Sequence, residues 1–419
     1  MARVAGERGG RGGAVVAGVV AAAWMGMAGS PAAQDRSPAS SPVSGEQARR
    51  VHQRAIVVDT HADTLWRILD EGDDISVRSA KGHLDVPRMI EGGVDAQFFA
   101  IWVQPSYGPD GAARRALRLI DAFHAMVARN ADRMVFAQSP ADIRAAAAAG
   151  KVAALMGIEG GQAIENDLGL LRMYHRLGVR YMTLTWSYSL DWADSSGDKG
   201  RWGGLNDFGV KVVEEMNRLG MLVDVSHASD ETFFDVMKAS SAPVIASHSS
   251  CRALCDAPRN MTDDMLRAVK ANGGVVMINF YSAFLDQAFR DASKKAEKEL
   301  EQKKSAIGAR YLHEPAGLEA ALWQLHLEAD ASVPPPPLAR IIDHIEHVIR
   351  VAGVDHVGLG SDFDGVTSLP RGMEDVSKLP AITRALLERG HSEQDVEKIL
   401  GGNFLRVFDD VVRRSKSGS

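Results

Sequence analysis

Along most of the chain, short apolar runs alternate with longer stretches in which apolar residues recur three and four positions apart. The runs are Ile56–Asp59, Ala96–Val103, Val152–Ile158, Arg180–Trp186, Met221–Ser226, Pro243–Ser247, Val275–Phe280 and His356–Gly360. Short runs of this kind, rich in β-branched residues, predict strands buried on both faces. The intervals carry the helical period in residues 114–128 (RRALRLIDAFHAMVA), 208–220 (FGVKVVEEMNRLG) and 338–353 (LARIIDHIEHVIRVAG). Strands alternating with helices predict βαβ units and a parallel sheet, and eight such strands predict an α/β protein closed into a (β/α)8 TIM barrel. An open doubly wound sheet is the competing architecture, but no GxGxxG follows the first run, which weakens it.

Three segments break the rhythm. Arg3, Arg8 and Arg11 precede an apolar run from Ala14 to Ala28, and small residues follow at Gly29, Ser30, Ala32 and Ala33. That order predicts a signal peptide over 1–33 and export to the periplasm or medium, the run being short for a bilayer span of about 20 residues. Residues 34–49 are polar and rich in Ser and Pro, and predict a linker. A single barrel is expected over 50–415, with an insertion at 285–337 that holds a charged stretch (DASKKAEKELEQKK) and four prolines, Pro334 to Pro337. The charged stretch predicts a solvated helix and the prolines a stiff connector.

Composition narrows the partners. The 419 residues carry 54 acidic and 48 basic side chains, a formal charge of −6, spread along the chain. Nucleic acid is therefore not expected as the partner. No Cys follows the N-terminal apolar run and the C-terminus (VVRRSKSGS) is polar, so no stable membrane anchor is expected in the mature form. A homodimer is left open, as is pairing of Cys251 with Cys255.

Candidate chemistry gathers at the ends of the runs. His61 and Asp63 follow the first run at spacing two, which on a strand turns both to one face. A His and a carboxylate presented together suit a divalent transition metal. Glu159 ends VAALMGIEGG, where two glycines leave room beside a carboxylate able to bridge two ions. His227 ends MLVDVSH, His248 ends VIASHS, and Asp362 and Asp364 follow the last run. With Asp59, these positions trail strands one, five, six and eight, and Glu159 trails the third, which is where barrel enzymes carry catalytic groups. His344 and His347 in HIEH lie on a helical stretch and are expected on a solvated face; His52, His124, His175, His313 and His326 are set aside likewise.

Taken in order, DTHADT (59–64), GHLDVPR (82–88), GGVDAQFFA (92–100), GIEGG (157–161), RYMTLTW (180–186), DVSH (224–227), PVIASHSSCRALCDAPRN (243–260), VVMINFY (275–281) and HVGLGSDFDGV (356–366) resemble the membrane, or renal, dipeptidases. The resemblance spans residues 50 to 410. It implies a barrel of the metal-dependent amidohydrolase type and two Zn2+ per chain. It also implies hydrolysis of small dipeptide substrates with a free C-terminal carboxylate, D-residues included at that end. By motif, His61 and Asp63 would hold one zinc, His227 and His248 the other, and Glu159 would bridge them. Arg259 would take the substrate carboxylate and Asp362 would serve as general acid and base. The family often has His after TLT where this chain has Trp186, which bears on substrate binding and oxyanion stabilisation. That departure keeps open a two-metal amidohydrolase acting on another amide, a lactone or a β-lactam. A non-catalytic envelope binding protein is the reading from another class, and an intact ligand set argues against it.

Overall fold

The eight apolar runs become eight parallel strands that close on themselves. The computed structural model describes residues 43–417, apart from 105, 106, 109, 110, 312 and 313. In chain order the strands are β1 (Val58–Ala62), β2 (Ala96–Trp102), β3 (Met134–Phe136), β4 (Val152–Glu159), β5 (Val179–Thr183), β6 (Leu222–Asp224), β7 (Ile245–Ala246), β8 (Val275–Ile278) and β9 (Val357–Leu359). Pairing runs β2-β1-β9-β8-β7-β6-β5-β4, and β4 returns to β2 to complete the barrel. The expected (β/α)8 TIM barrel is what forms.

The ninth strand, β3, is an addition outside the eight. It pairs with Val152–Ala154 at the start of β4, while β5 pairs with the same edge from Met156 onward. Three residues are too few to show a period, so the pattern is silent about β3.

The barrel interior is filled, not hollow. Val58, Phe98, Leu155, Tyr181, Leu222 and Met277 form one buried cluster with Phe404, Leu405, Phe408 and Val411. Those last four belong to the terminal helix Asn403–Ser417, which plugs the amino ends of the strands, with Phe404 and Phe98 edge to face at 5.3 Å. Alternate strand residues such as Phe99, Ile101, Met156, Ile158, Met182 and Ile278 pack outward in a second cluster with the helices.

Two boundaries differ from the pattern. Helix Gly45–Arg54 starts inside the segment expected as linker, with Ser44 capping it through Gln47 N–H; Ala48, Val51 and His52 are buried. Residues 1–42, which include the expected signal peptide, lie outside the described residues. The insertion after β8 is three helices, Gln287–Glu299, Glu301–Arg310 and Pro315–Ala331, not one. Only the middle one is free of buried residues. Buried Asp330 accepts hydrogen bonds from Tyr281 at 2.8 Å and from Ser293 and Thr367, tying the insertion to the loops after β8 and β9. Among the described residues no helix is long and apolar enough to cross a membrane.

Gly157 shows how closely β4 and β5 are matched. A Cβ there would stand 2.0 Å from the Tyr181 ring, its register partner on β5. Gly157→Ala is therefore expected to cost about 1–3 kcal/mol by overpacking, read as a lower urea midpoint at unchanged slope. An unaltered midpoint would show that the ring has room to move.

Candidate metal centre

At the carboxyl ends of the strands the chain brings together His61, Asp63, Glu159, His227, His248 and Asp362, all buried. His61 comes from β1, and Asp63 is the residue before helix Thr64–Glu71. Glu159 closes β4; the other three follow β6, β7 and β9. His61 Nε2 lies 3.4 Å from Asp63 Oδ2, 3.4 Å from Glu159 Oε2 and 4.0 Å from Asp362 Oδ1. The other Glu159 oxygen, Oε1, is 3.0 Å from His227 Nε2 and 3.5 Å from His248 Nε2. Glu159 thus turns one oxygen to each side of the cluster.

The backbone is bent to achieve this. His227, Asp362 and Asp364 have φ of 67°, 64° and 66°, the left-handed region that side-chain-bearing residues seldom occupy. Each such residue costs on the order of 1 kcal/mol or more, and such strain gathers at functional sites.

Electrostatics mark the cluster as a cation site. Burial raises the Asp63 carboxyl well above the usual range, with the Glu159 charge adding to it. Asp362 is raised for the same two reasons, though His61 pulls the other way. Burial also opposes ionisation of Glu159, but His61, His227 and His248 outweigh it and hold that carboxyl well below its ordinary value. For His61 burial opposes the proton, yet Tyr181, Glu159 and Asp63 outweigh it and push the imidazole well up. Left alone, then, the cluster draws positive charge to its centre. His227 is pushed down to about 3 by burial and by Arg259, and His248 is lowered by burial, His61 and Arg259. Neutral imidazoles are the form that binds metal. His61 Nε2 and Asp63 Oδ1 are buried without a hydrogen-bond partner, which is costly unless something else meets them. The groups His61–Glu159–His248 and His61–Asp63–Asp362 each offer donor atoms within 4.8 Å of one another. Residue types and spacing fit divalent metal.

Of the remaining candidates, Arg259 and Trp186 border the cluster and Asp364 does not join it. Arg259 donates to Ser249 Oγ and the His248 carbonyl, both at 3.0 Å, and its Nε has no partner. Burial lowers it to about 10, so it stays charged at neutral pH. Half-buried Trp186 stands 6.3 Å from His227 and packs edge to face on Trp102 at 5.1 Å. Asp364 accepts from Thr64 and Arg67, each at 2.7 Å, and from His83 N–H at 2.6 Å; its capacity is used in holding loops. Asp59 is likewise engaged with Ser361.

Reading by residue type missed the groups behind the cluster. Tyr181 Oη meets His61 Nδ1 at 2.7 Å, and Asn279 donates to Asp362 Oδ2 at 2.8 Å. Neither stands out in sequence, since both belong to apolar runs. His344 and His347 are corrected: both are buried, not on a solvated face. His344 accepts from Cys251 N–H and donates to the Leu285 carbonyl, both at 3.0 Å, and His347 Nε2 meets Asp263 at 2.6 Å. His52 is buried too, between Thr383 and the Gly92 carbonyl. Cys251 and Cys255 are buried free thiols.

A closed parallel barrel with buried carboxylates and imidazoles converging at the carboxyl ends of its strands defines a metal-dependent hydrolase. The sequence profile described as Membrane dipeptidase (Peptidase family M19) matches residues 45–418, and the chain belongs to that family, as a dipeptidase. It is 36% identical over 345 residues to dipeptidase aclJ of Aspergillus oryzae, covering 80% of this chain and 72% of that one. With dipeptidase verJ of Clonostachys rogersoniana it shares 34% over 374 residues, 85% of this chain and 84% of the other. Among solved structures it is similar to the probable dipeptidase PvdM from Pseudomonas aeruginosa, with a TM-score of 0.76, 28% identity, and 88% and 98% coverage. It is also similar to a metallo peptidase from Rhodobacter sphaeroides bound to a phosphinate mimic of L-Ala-D-Ala, with a TM-score of 0.69, 28% identity, and 85% and 99% coverage.

The buried His344 yields a test by pH. Burial lowers its pKa to about 4 from 6.5, so on acidification the unfolded chain takes up the proton first. Its stabilising contribution is complete above about pH 6.5 and is lost toward pH 4, by at most about 3 kcal/mol at 1.4 kcal/mol per unit. His344→Gln is expected to be less stable than wild type at pH 7.5, with the gap narrowing by pH 4.5 in urea denaturation. A gap that stays constant would refute this.

Proposed function

We propose that the chain is a zinc-dependent dipeptidase whose cluster holds two Zn2+, with His61 and Asp63 on one side, His227 and His248 on the other, and Glu159 between them. The observation that carries this is the split of Glu159, whose two oxygens face His61 and the His227–His248 pair separately. Bound zinc supplies Lewis acidity, which polarises a carbonyl and lowers the pKa of a water from near 16 toward about 7.

The protein groups supply orientation and proton transfer. Arg259 receives the free carboxylate of the substrate with its planar fork, a task for which Lys is a poor substitute. A clamp at that end favours short substrates, and the D-residue mimic bound by the Rhodobacter sphaeroides protein supports tolerance of a C-terminal D-residue here. Asp362 takes the proton from the attacking water and passes it to the leaving amine; Asn279 holds its other oxygen and leaves Oδ1 toward His61. Trp186, with Trp102, forms an apolar wall where a His would offer a donor, and it favours apolar substrate side chains. Export to the periplasm or medium is part of the proposal and rests on residues 1–33.

Purified protein is expected to carry about two zinc ions per chain and to hydrolyse L–L and L–D dipeptides. Glu159→Gln should lose metal from both positions; full occupancy in that variant would sink the bridging role. Arg259→Lys should raise KM far more than it lowers kcat, and a dipeptide amidated at its C-terminus should be a poor substrate for wild type. Equal turnover of the amide and the free acid would remove the clamp.

A further inference from the structure

Two seams of the barrel are held by the least backbone pairing. Within the strands, β1 meets β9 through one register pair, Asp59↔Leu359, followed by a bridge at Ala62↔Phe363, and β6 meets β7 through Asp224↔Ile245. Every other neighbouring pair of barrel strands has at least two such pairs among the described residues. Both thin seams carry cluster residues, and in both the strand residue at the pair is a fully buried aspartate.

The two aspartates share three bonds. Asp59 Oδ1 accepts from Ser361 N–H at 2.8 Å and Oδ2 from Ser361 Oγ–H at 2.6 Å. Asp224 Oδ1 accepts from Ser247 N–H at 2.8 Å and Oδ2 from Ser247 Oγ–H at 2.6 Å. Each also accepts from the N–H two residues on, His61 at 3.4 Å and Ser226 at 3.0 Å. Ser361 directly precedes Asp362, and Ser247 directly precedes His248. One carboxylate therefore fastens its own strand end, which leads into a cluster histidine, to the residue that leads into a cluster group on the neighbouring strand.

At the second seam the arrangement reaches the imidazole itself. Ser247 Oγ lies 2.7 Å from His248 Nδ1. A carboxylate only accepts, and a hydroxyl has one proton. The Ser247 proton goes to Asp224, so Ser247 oxygen accepts from His248 Nδ1–H. That tautomer leaves the Nε2 lone pair facing the centre of the cluster, 3.0 Å from His227 Nε2 and 3.5 Å from Glu159 Oε1, the orientation that metal ligation requires.

We propose that Asp59 and Asp224 are paired positioning residues, which act through Ser361 and Ser247 to hold the two halves of the metal centre in place. Beside a short backbone ladder, in which Asp362 N–H donates to the His61 carbonyl at 3.1 Å and Val225 N–H to the Ile245 carbonyl at 2.8 Å, the carboxylates fix where His61, Asp362 and His248 sit. The inference rests on the zinc reading above, and it assigns functional work to side chains that touch neither substrate nor metal.

The competing role for Asp224 is plain structural fastening, and Thr183 separates the two. Thr183 Oγ1 donates to the same Asp224 Oδ2 at 2.5 Å, but no hydrogen bond links it to His248. Metal-stripped wild type, Ser247→Ala, Ser361→Ala and Thr183→Val are titrated with zinc against a chromogenic chelator, and the stability of each metal-free form is measured in urea. All three variants should lose stability. Only the two serine variants should also lose zinc affinity, by about 10–100-fold as for other groups that orient metal ligands, while Thr183→Val keeps the wild-type value. Ser247→Ala acts through His248 and Ser361→Ala through His61, whose carbonyl accepts from Ser361 Oγ–H at 3.2 Å. Histidine nitrogen NMR of wild type should show His248 protonated at Nδ1. Serine variants that bind zinc as Thr183→Val does would overturn the inference while leaving the zinc reading intact. Wild type that takes up no zinc would overturn the reading and the inference together. If one serine variant does not fold, the other carries the comparison.

Discussion

Three carboxylates and three imidazoles are buried together at one end of the barrel, and most of the local structure exists to make that tolerable. An ion taken out of water costs several kcal/mol unless it is paired and hydrogen-bonded. Asp63, Glu159 and Asp362 cannot all remain charged at close quarters without a positive centre, as the upward displacement of Asp63 and Asp362 shows. His61 answers this in part by holding a proton. A divalent cation would answer it more fully, because it would also give a partner to the buried atoms of His61 and Asp63 that find no hydrogen bond. Metal affinity and folding are thus parts of one balance.

Holding such a cluster requires support from behind, and the barrel provides it with buried polar groups set among apolar ones. Gly157 makes room for the Tyr181 ring, and the Tyr181 hydroxyl meets His61. Asn279 at the end of β8 steadies Asp362. Ser226 donates to Asp224 and accepts from His248 N–H at 3.0 Å, while Ser249 accepts from Arg259. The side chain proposed to receive the substrate carboxylate is therefore joined to the same polar layer that orients the histidines. Buried networks of this kind are worth keeping only when nearly every member is satisfied, and two of the unpaired atoms, His61 Nε2 and Asp63 Oδ1, belong to the cluster itself.

Legibility in the sequence follows from what each feature depends on. The strands could be read because burial on both faces leaves an unbroken apolar run, as in VAALMGI before Glu159. The short β3 could not, since three residues carry no period. His61, Glu159, His227 and His248 were legible because polar residues of metal-binding type close apolar runs. His344 and His347 were misread because helical spacing alone does not say which helix face meets a neighbour. Only the packing of helix Ala339–Ala352 against the Cys251 loop and Leu285 buries them.

By itself the sequence determined the eight-strand barrel, the residues that would gather at its mouth and the dipeptidase family, because period, strand-end position and ordered motifs are local properties of the chain. Tertiary structure alone decided that Asp362 enters the cluster while Asp59 and Asp364 do not. Asp59, Asp364 and Asp362 look alike in sequence, yet Asp59 turns to Ser361, Asp364 to Arg67 and Thr64, and Asp362 to the site. The physical reason is that a carboxylate's role is set by the donors within hydrogen-bond reach. Those donors come from strands and loops up to about three hundred residues away along the chain, as Ser361 is from Asp59.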